Sequence, residues 1–178
     1  ISCLFIEVAV WVTHHLNQSL DAVEALVQGL ANRTYPNRTI NIKEAEERID
    51  IEFSRSRRYD RPLTLLMVQP ERITNDEHQS ALEMRKDILQ NFSYARIGQI
   101  IAESARQTDL IVHDANKGIF FVLCAETEGE KSHILGERIR QNIMTQIKSK
   151  TAWSAASFPK DAVTMDELIR TAQGRLQE

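Results

Sequence analysis

Few folds accommodate the stretch DLIVHDANKGIFFVLC, Asp109 to Cys124, in which two apolar runs of strand length flank a four-residue turn rich in Asn and Gly. That pattern specifies a β-hairpin. Asn116 and Gly118 are residue types that accept positive φ, so the turn is chemically reasonable without any functional role for those side chains. A second constraint lies upstream. Leu63 to Val68 is a short, continuous apolar run ended by Gln69 and Pro70, as expected of a strand covered on both faces of a sheet.

Helical patterns fill the spaces between the strands. Ile42, Ala45, Ile49 and Phe53 form a stripe at helical spacing that ends in the charged run Arg55 to Arg61 and stops at Pro62. A longer helix, from about Gln79 to Arg106, is expected to turn Leu82, Ile88, Leu89, Phe92, Ile100 and Ile101 inward, with Gly98 as its weak point. Thr127 and Glu130 have the spacing of a capping box ahead of Leu135, Ile139, Ile143 and Ile147. A last strand, Ala152 to Phe158, ends at Pro159, and Thr164 and Glu167 repeat the capping pattern before a terminal helix with Leu168, Ile169, Ala172 and Leu176. The order αβαββαβα predicts an α/β fold, a sandwich of the α+β kind with a mostly antiparallel sheet flanked by helices.

Residues 1–31 stand apart as an N-terminal helical extension. Phe5, Val8, Val12, Leu16, Leu20, Val23, Val27 and Leu30 make one amphipathic stripe, which suits either packing on a neighbouring domain or a dimerising signalling helix. Residues 32–41, with Pro36 and few large apolar side chains, read as a linker, and 42–178 as the domain proper. The opening ISCLFIEVAVWV is apolar for about a dozen residues, short of the roughly 20 that a membrane helix needs. A start at Ile1 without methionine suggests an excised fragment; the expected location is cytoplasmic, either free or attached to the inner membrane through a missing upstream segment.

A net charge of −3 provides no general attraction to DNA, RNA or acidic membranes, although a local basic patch can still take a small anion. Cys3 and Cys124 belong to no metal-ligand array and fit a reducing compartment. The sequons at Asn32, Asn37 and Asn91 are too loose a pattern to argue secretion. His113, His14 and His15 make no metal site. Cys124, Trp11 and Trp153 read as packing residues, and no nucleophilic triad or dyad is present.

The helix order, RRYDRPLTLLMV before the first strand, the hairpin DLIVHDANKGIFFVL, and SAASFPKD near the end resemble the GGDEF family of diguanylate cyclases over roughly Glu44 to Gln177. The signature turn of that family falls on Ala115, Asn116, Lys117, Gly118 and Ile119, so none of its residues is in place. Joining two GTP molecules needs Mg²⁺, and Mg²⁺ needs carboxylates. The family's metal-binding aspartate aligns with Gln69 and the acidic turn position with Lys117, whose ammonium repels the ion. Glu71 alone cannot rebuild the site, and Asn75 and Asp76 stand too close to the strand end to serve as the family's guanine-binding motif. The resemblance therefore implies no catalytic residues, no metal and no cofactor.

It also implies a ligand. The family binds cyclic di-GMP as an inhibitory product at an R-x-x-D motif five residues before the signature turn, and Arg106 and Asp109 occupy those positions, with Leu110 to Asp114 as spacer. Arginine's planar fork can donate to guanine O6 and N7 while a carboxylate accepts from N1 and N2 on the opposite edge. Arg57 and Asp60 match the same string where the family has no site, so register carries the assignment. With 15 arginines and 9 aspartates in 178 residues, chance occupation of both positions is about 0.004. The competing structural reading is a plain Arg106–Asp109 ion pair at a helix end. Family members often add an arginine from the following helix, which matches Arg138 here, with Arg140 as the lesser substitute.

The expected function is that of a cyclic di-GMP receptor resembling those of bacterial exopolysaccharide systems such as Pel and cellulose. Its partners would be a polysaccharide synthase or export protein and, through a second protomer, a homodimer, with no DNA or RNA. The alternative is a non-binding dimerisation or partner-docking module.

Overall fold

The apolar run after Pro62 becomes an interior strand because its apolar side chains find a hydrophobic layer on each face of the sheet, while Thr64 is buried with its hydroxyl hydrogen-bonded. The computed structural model describes residues 38–71 and 80–177, the side chains of 80–89 excepted. Its elements are β1 (Thr39–Asn41), α1 (Ile42–Tyr59), β2 (Leu63–Pro70), α2 (Ser80–Ser104), β3 (Leu110–Asp114), β4 (Ile119–Ala125), α3 (Gly129–Ile147), β5 (Thr151–Phe158) and α4 (Met165–Leu176). The N-terminal helix expected over 1–31, with Cys3, Trp11, His14 and His15, lies outside the described residues, as do Asn75 and Asp76.

The strands form one five-stranded sheet in the order β1-β3-β4-β2-β5. Three of its four pairings are antiparallel; β1 alone runs parallel to its neighbour β3. The architecture is thus the α/β fold with a mostly antiparallel sheet expected from the sequence. Alternation along β2 divides the core in two. Leu63, Leu65 and Met67 pack with Ala45 and Phe53 of α1 and Leu168 and Ala172 of α4. Leu66 and Val68 face Ile97, Ile100 and Ile101 of α2 and Leu135, Ile139 and Ile143 of α3 on the opposite side. Each fully buried aliphatic side chain of this kind contributes about 2 kcal/mol of apolar burial.

Local chemistry sets the element ends. Asn41 caps α1 by accepting from the Lys43 amide at 3.2 Å, and the helix stops at Asp60 in the left-handed region, φ 49°. Thr164 caps α4 by accepting from the Glu167 amide at 3.3 Å, as its spacing predicts. Gly136 lets α3 lie directly on Trp153 of β5, since a β-carbon there would collide with the indole ring.

Four expectations change. β1 lies inside the 32–41 segment read as a linker, because three residues are too few to show a period. Phe92 does not turn inward; it is 38% exposed, and Ile97, about 140° further round the helix, takes the core position. Thr127 does not cap α3: the N-cap is Glu128, without a side-chain cap bond, and the Thr127 hydroxyl donates to the Ala125 carbonyl at 3.0 Å. In the hairpin turn Gly118 alone takes positive φ, 67°, while Asn116 does not.

Candidate functional site

The residues between α2 and β3 close into a tight turn. The Asp109 amide donates to the Arg106 carbonyl at 3.1 Å, and the Arg106 amide donates back to Asp109 Oδ2 at 2.7 Å. One aspartate oxygen therefore completes the turn by binding main chain. The other, Oδ1, is buried and has no hydrogen-bond partner within the described residues. A buried polar atom left unpaired costs about 1–3 kcal/mol. Burial holds the Asp109 carboxyl above its usual range, and the Arg106 amide and the Arg106 and Arg38 charges pull it only part of the way back.

Arg106 is exposed, and among the described residues its guanidinium makes no hydrogen bond or ion pair. The plain Arg106–Asp109 ion pair weighed from the sequence is not formed; backbone bonds join the two residues instead. Arg106 faces solvent, whereas Asp109 does not and is 8% exposed. The strand missed in the linker adds a further residue to this turn. By pairing Thr39 with Ile111, β1 brings Arg38 across the turn. The Arg38 guanidinium donates from Nη1 to the Arg106 carbonyl at 3.0 Å and to Gln107 Oε1 at 2.9 Å, and from Nη2 to the Ala102 carbonyl at 3.1 Å.

Arg138 reaches the same helix end from α3. Its Nη2 donates to the Ser104 carbonyl at 2.5 Å, while Asn142 holds the Ser104 hydroxyl at 3.2 Å. Arg140 is occupied elsewhere, in a two-point pair with Glu137 that draws the Glu137 carboxyl down to about 2. The structure thus gathers Arg38, Arg106 and Arg138 around the C-terminus of α2, where the unpaired carbonyls and the helix dipole favour cations. Sequence reasoning missed Arg38. The available signal was Thr39 and Ile40, β-branched residues beside it, which favour a strand.

The hairpin tip has a different character. Asp114 Oδ1 accepts from the amides of Asn116 at 3.1 Å and Lys117 at 3.3 Å, fixing the turn. Gly118 sits so close over the Tyr94 hydroxyl that a β-carbon would not fit. Behind it, His113 stacks on Phe120 with ring centroids 4.3 Å apart, and burial lowers the histidine's proton affinity. Gln69 and Glu71 are exposed at the end of β2. The cavity there, between Pro70, Gln90, Tyr94 and Ile97, has a volume of about 10 Å³, room for about one water. Cys124 is buried in the core, as read, and burial raises its thiol pKa far above the ordinary value. Arg57 and Asp60 form the end of α1, with Asp60 its C-cap. Among the described residues no three His, Cys, Asp or Glu side chains converge, and no helix is long and apolar enough to cross a membrane.

No family model and no curated protein sequence matches the chain. Solved structures do. The GGDEF domain of YfiN, also called TpbB, from Pseudomonas aeruginosa superposes with a TM-score of 0.65 at 16% identity, over 78% of this chain and 88% of that one. The coiled coil and GGDEF domain of DgcB from Caulobacter crescentus, in complex with c-di-GMP, gives a TM-score of 0.63 at 11% identity, over 93% of this chain and 92% of that one. Diguanylate cyclase SiaD from Pseudomonas aeruginosa, in complex with its activator SiaC, gives 0.63 at 15% identity, over 97% of this chain and 66% of that one. At such identities the likeness establishes the fold: the chain has the architecture of a GGDEF domain.

Proposed function

We propose that this chain is a receptor for cyclic di-GMP that has lost the cyclase chemistry of its fold. The observation that carries the reading is the exposed Arg106 guanidinium, three residues from a carboxylate whose Oδ1 is buried, both without a hydrogen-bond partner among the described residues. Arg106 would donate to guanine O6 and N7, and Asp109 Oδ1 would accept from the N1 and N2 hydrogens. Because Oδ1 is buried, binding includes a local opening of the 106–109 turn. Arg138, two residues along the main chain from Arg106 through its bond to the Ser104 carbonyl, would serve the phosphates. Opening of the turn supplies a two-state element whose population the ligand shifts. The state so favoured would be recognised by a polysaccharide synthase or export protein in bacterial exopolysaccharide production, with the chain cytoplasmic or tethered to the inner membrane.

Loss of catalysis follows from donor chemistry. Gln69 and Lys117 offer no carboxylate to Mg²⁺ at the two places where the resemblance requires one.

Calorimetric titration with cyclic di-GMP tests the site. The wild type should bind saturably and Arg106→Ala at least about tenfold more weakly, the effect of removing a charge-assisted, two-point contact. Equal binding by the variant excludes this site. Incubation with GTP and Mg²⁺ should yield no cyclic di-GMP, and product formation would refute the loss of catalysis. The burial of Asp109 favours a second reading, a docking module that binds no nucleotide, for which titration is silent while the protein remains a defined dimer.

A further inference from the structure

Three arginines meet at the C-terminal end of α2, and Arg38 is the one of them that the sequence did not point to. A guanidinium carries five N–H donors. Arg38 spends two at Nη1, on the Arg106 carbonyl and Gln107 Oε1, and one at Nη2, on the Ala102 carbonyl. Nε–H and the second Nη2 hydrogen remain. None of its three acceptors is charged, and among the described residues it forms no salt bridge. Arg106 and Arg138 likewise form none, the latter donating to a main-chain carbonyl. The carboxylate of the turn itself, Asp109, is already tied to the Arg106 amide. Three positive charges are therefore gathered about one turn with a single, half-engaged negative charge between them. A half-buried cation fixed by neutral acceptors keeps its attraction for an anion, and that attraction grows where water is partly excluded.

We propose that Arg38 is a third ligand-binding arginine of this site, directed at a phosphate of the bound cyclic dinucleotide. The assignment rests on the receptor reading above and extends it in one respect. Arg38 stands immediately before β1, a strand of three residues at the sheet edge whose one strand neighbour among the described residues is β3. A ligand gripped by Arg38 therefore also fastens β1, so that occupancy of the site sets how firmly the segment entering the domain is docked.

The test uses cyclic di-GMP on the full chain. Arg38→Gln, which keeps amide donors and removes the charge, should bind about tenfold more weakly than the wild type in calorimetry. Its binding should also depend less steeply on salt, a readout that loss of a purely structural contact leaves unmoved. On the unsubstituted chain, hydrogen exchange at the Thr39–Asn41 amides should slow when ligand saturates. Unchanged or tighter binding by Arg38→Gln, an unaltered salt dependence, or no added protection in β1 would each overturn the role of Arg38. The receptor reading fails separately, when the wild type itself does not bind or when Arg106→Ala binds as the wild type does.

Discussion

Asp109 shows how a single carboxylate can be retained against its own stability. Its native-state pKa stands above the ordinary value of 3.8, chiefly through burial. The native state therefore binds more protons than the unfolded chain between those two values. Stability falls as pH rises from 3.8 through the native pKa and is level above it. Asp109→Asn cannot ionise and still offers an oxygen to the Arg106 amide. It should be more stable than the wild type near pH 7, with the gap closing toward about pH 4, while cyclic di-GMP binding is lost. Urea unfolding at the two pH values measures this, and a variant less stable at neutral pH would contradict it. The placing of Arg106 and Asp109 at the start of β3 was legible because their offset from the hairpin turn is counted along the chain. That Asp109 is buried was not legible, since burial at a turn depends on segments far away in the chain, such as the one that carries Arg38, 71 positions earlier.

Among the elements, legibility followed the distance over which each signal acts. The Thr164 cap and the hairpin turn depend on bonds within four residues, and both appear where spacing puts them. Thr127 has the same spacing but lies where β4 ends, and its main-chain oxygen is claimed by the Thr64 hydroxyl at 2.7 Å. A tertiary bond thus overrides a local one. Phe92 misleads for a related reason: α2 packs on both the sheet and α3, so its apolar residues spread around the helix and the stripe loses its sharpness. The seating of α3 on Trp153 gives a direct test. Gly136→Ala puts a methyl into the indole and should lower stability by about 2 kcal/mol, read as a drop in the thermal midpoint. An unchanged midpoint would mean that the two elements are not in such close contact.

At the scale of the whole molecule, the order of elements was readable because continuous apolar runs and helical stripes alternate, and only a sheet covered on both faces satisfies both. Strand order and the added edge at β1 were not, since they depend on pairing between distant segments. The same architecture separates two regions at opposite ends of the β3–β4 hairpin. At the tip, Tyr94 fills the space under Gly118; at the base, three arginines surround a turn closed by two hydrogen bonds. Cyclic di-GMP bound at the base should stabilise the fold by mass action, about 2.7 kcal/mol at a hundredfold excess over Kd. Backbone-amide NMR during titration with cyclic di-GMP locates the ligand without relying on any substitution. The receptor account predicts saturable shifts centred on residues 104–110 and Arg138. An unperturbed spectrum, or shifts confined to Tyr94 and the 115–118 turn, would contradict it.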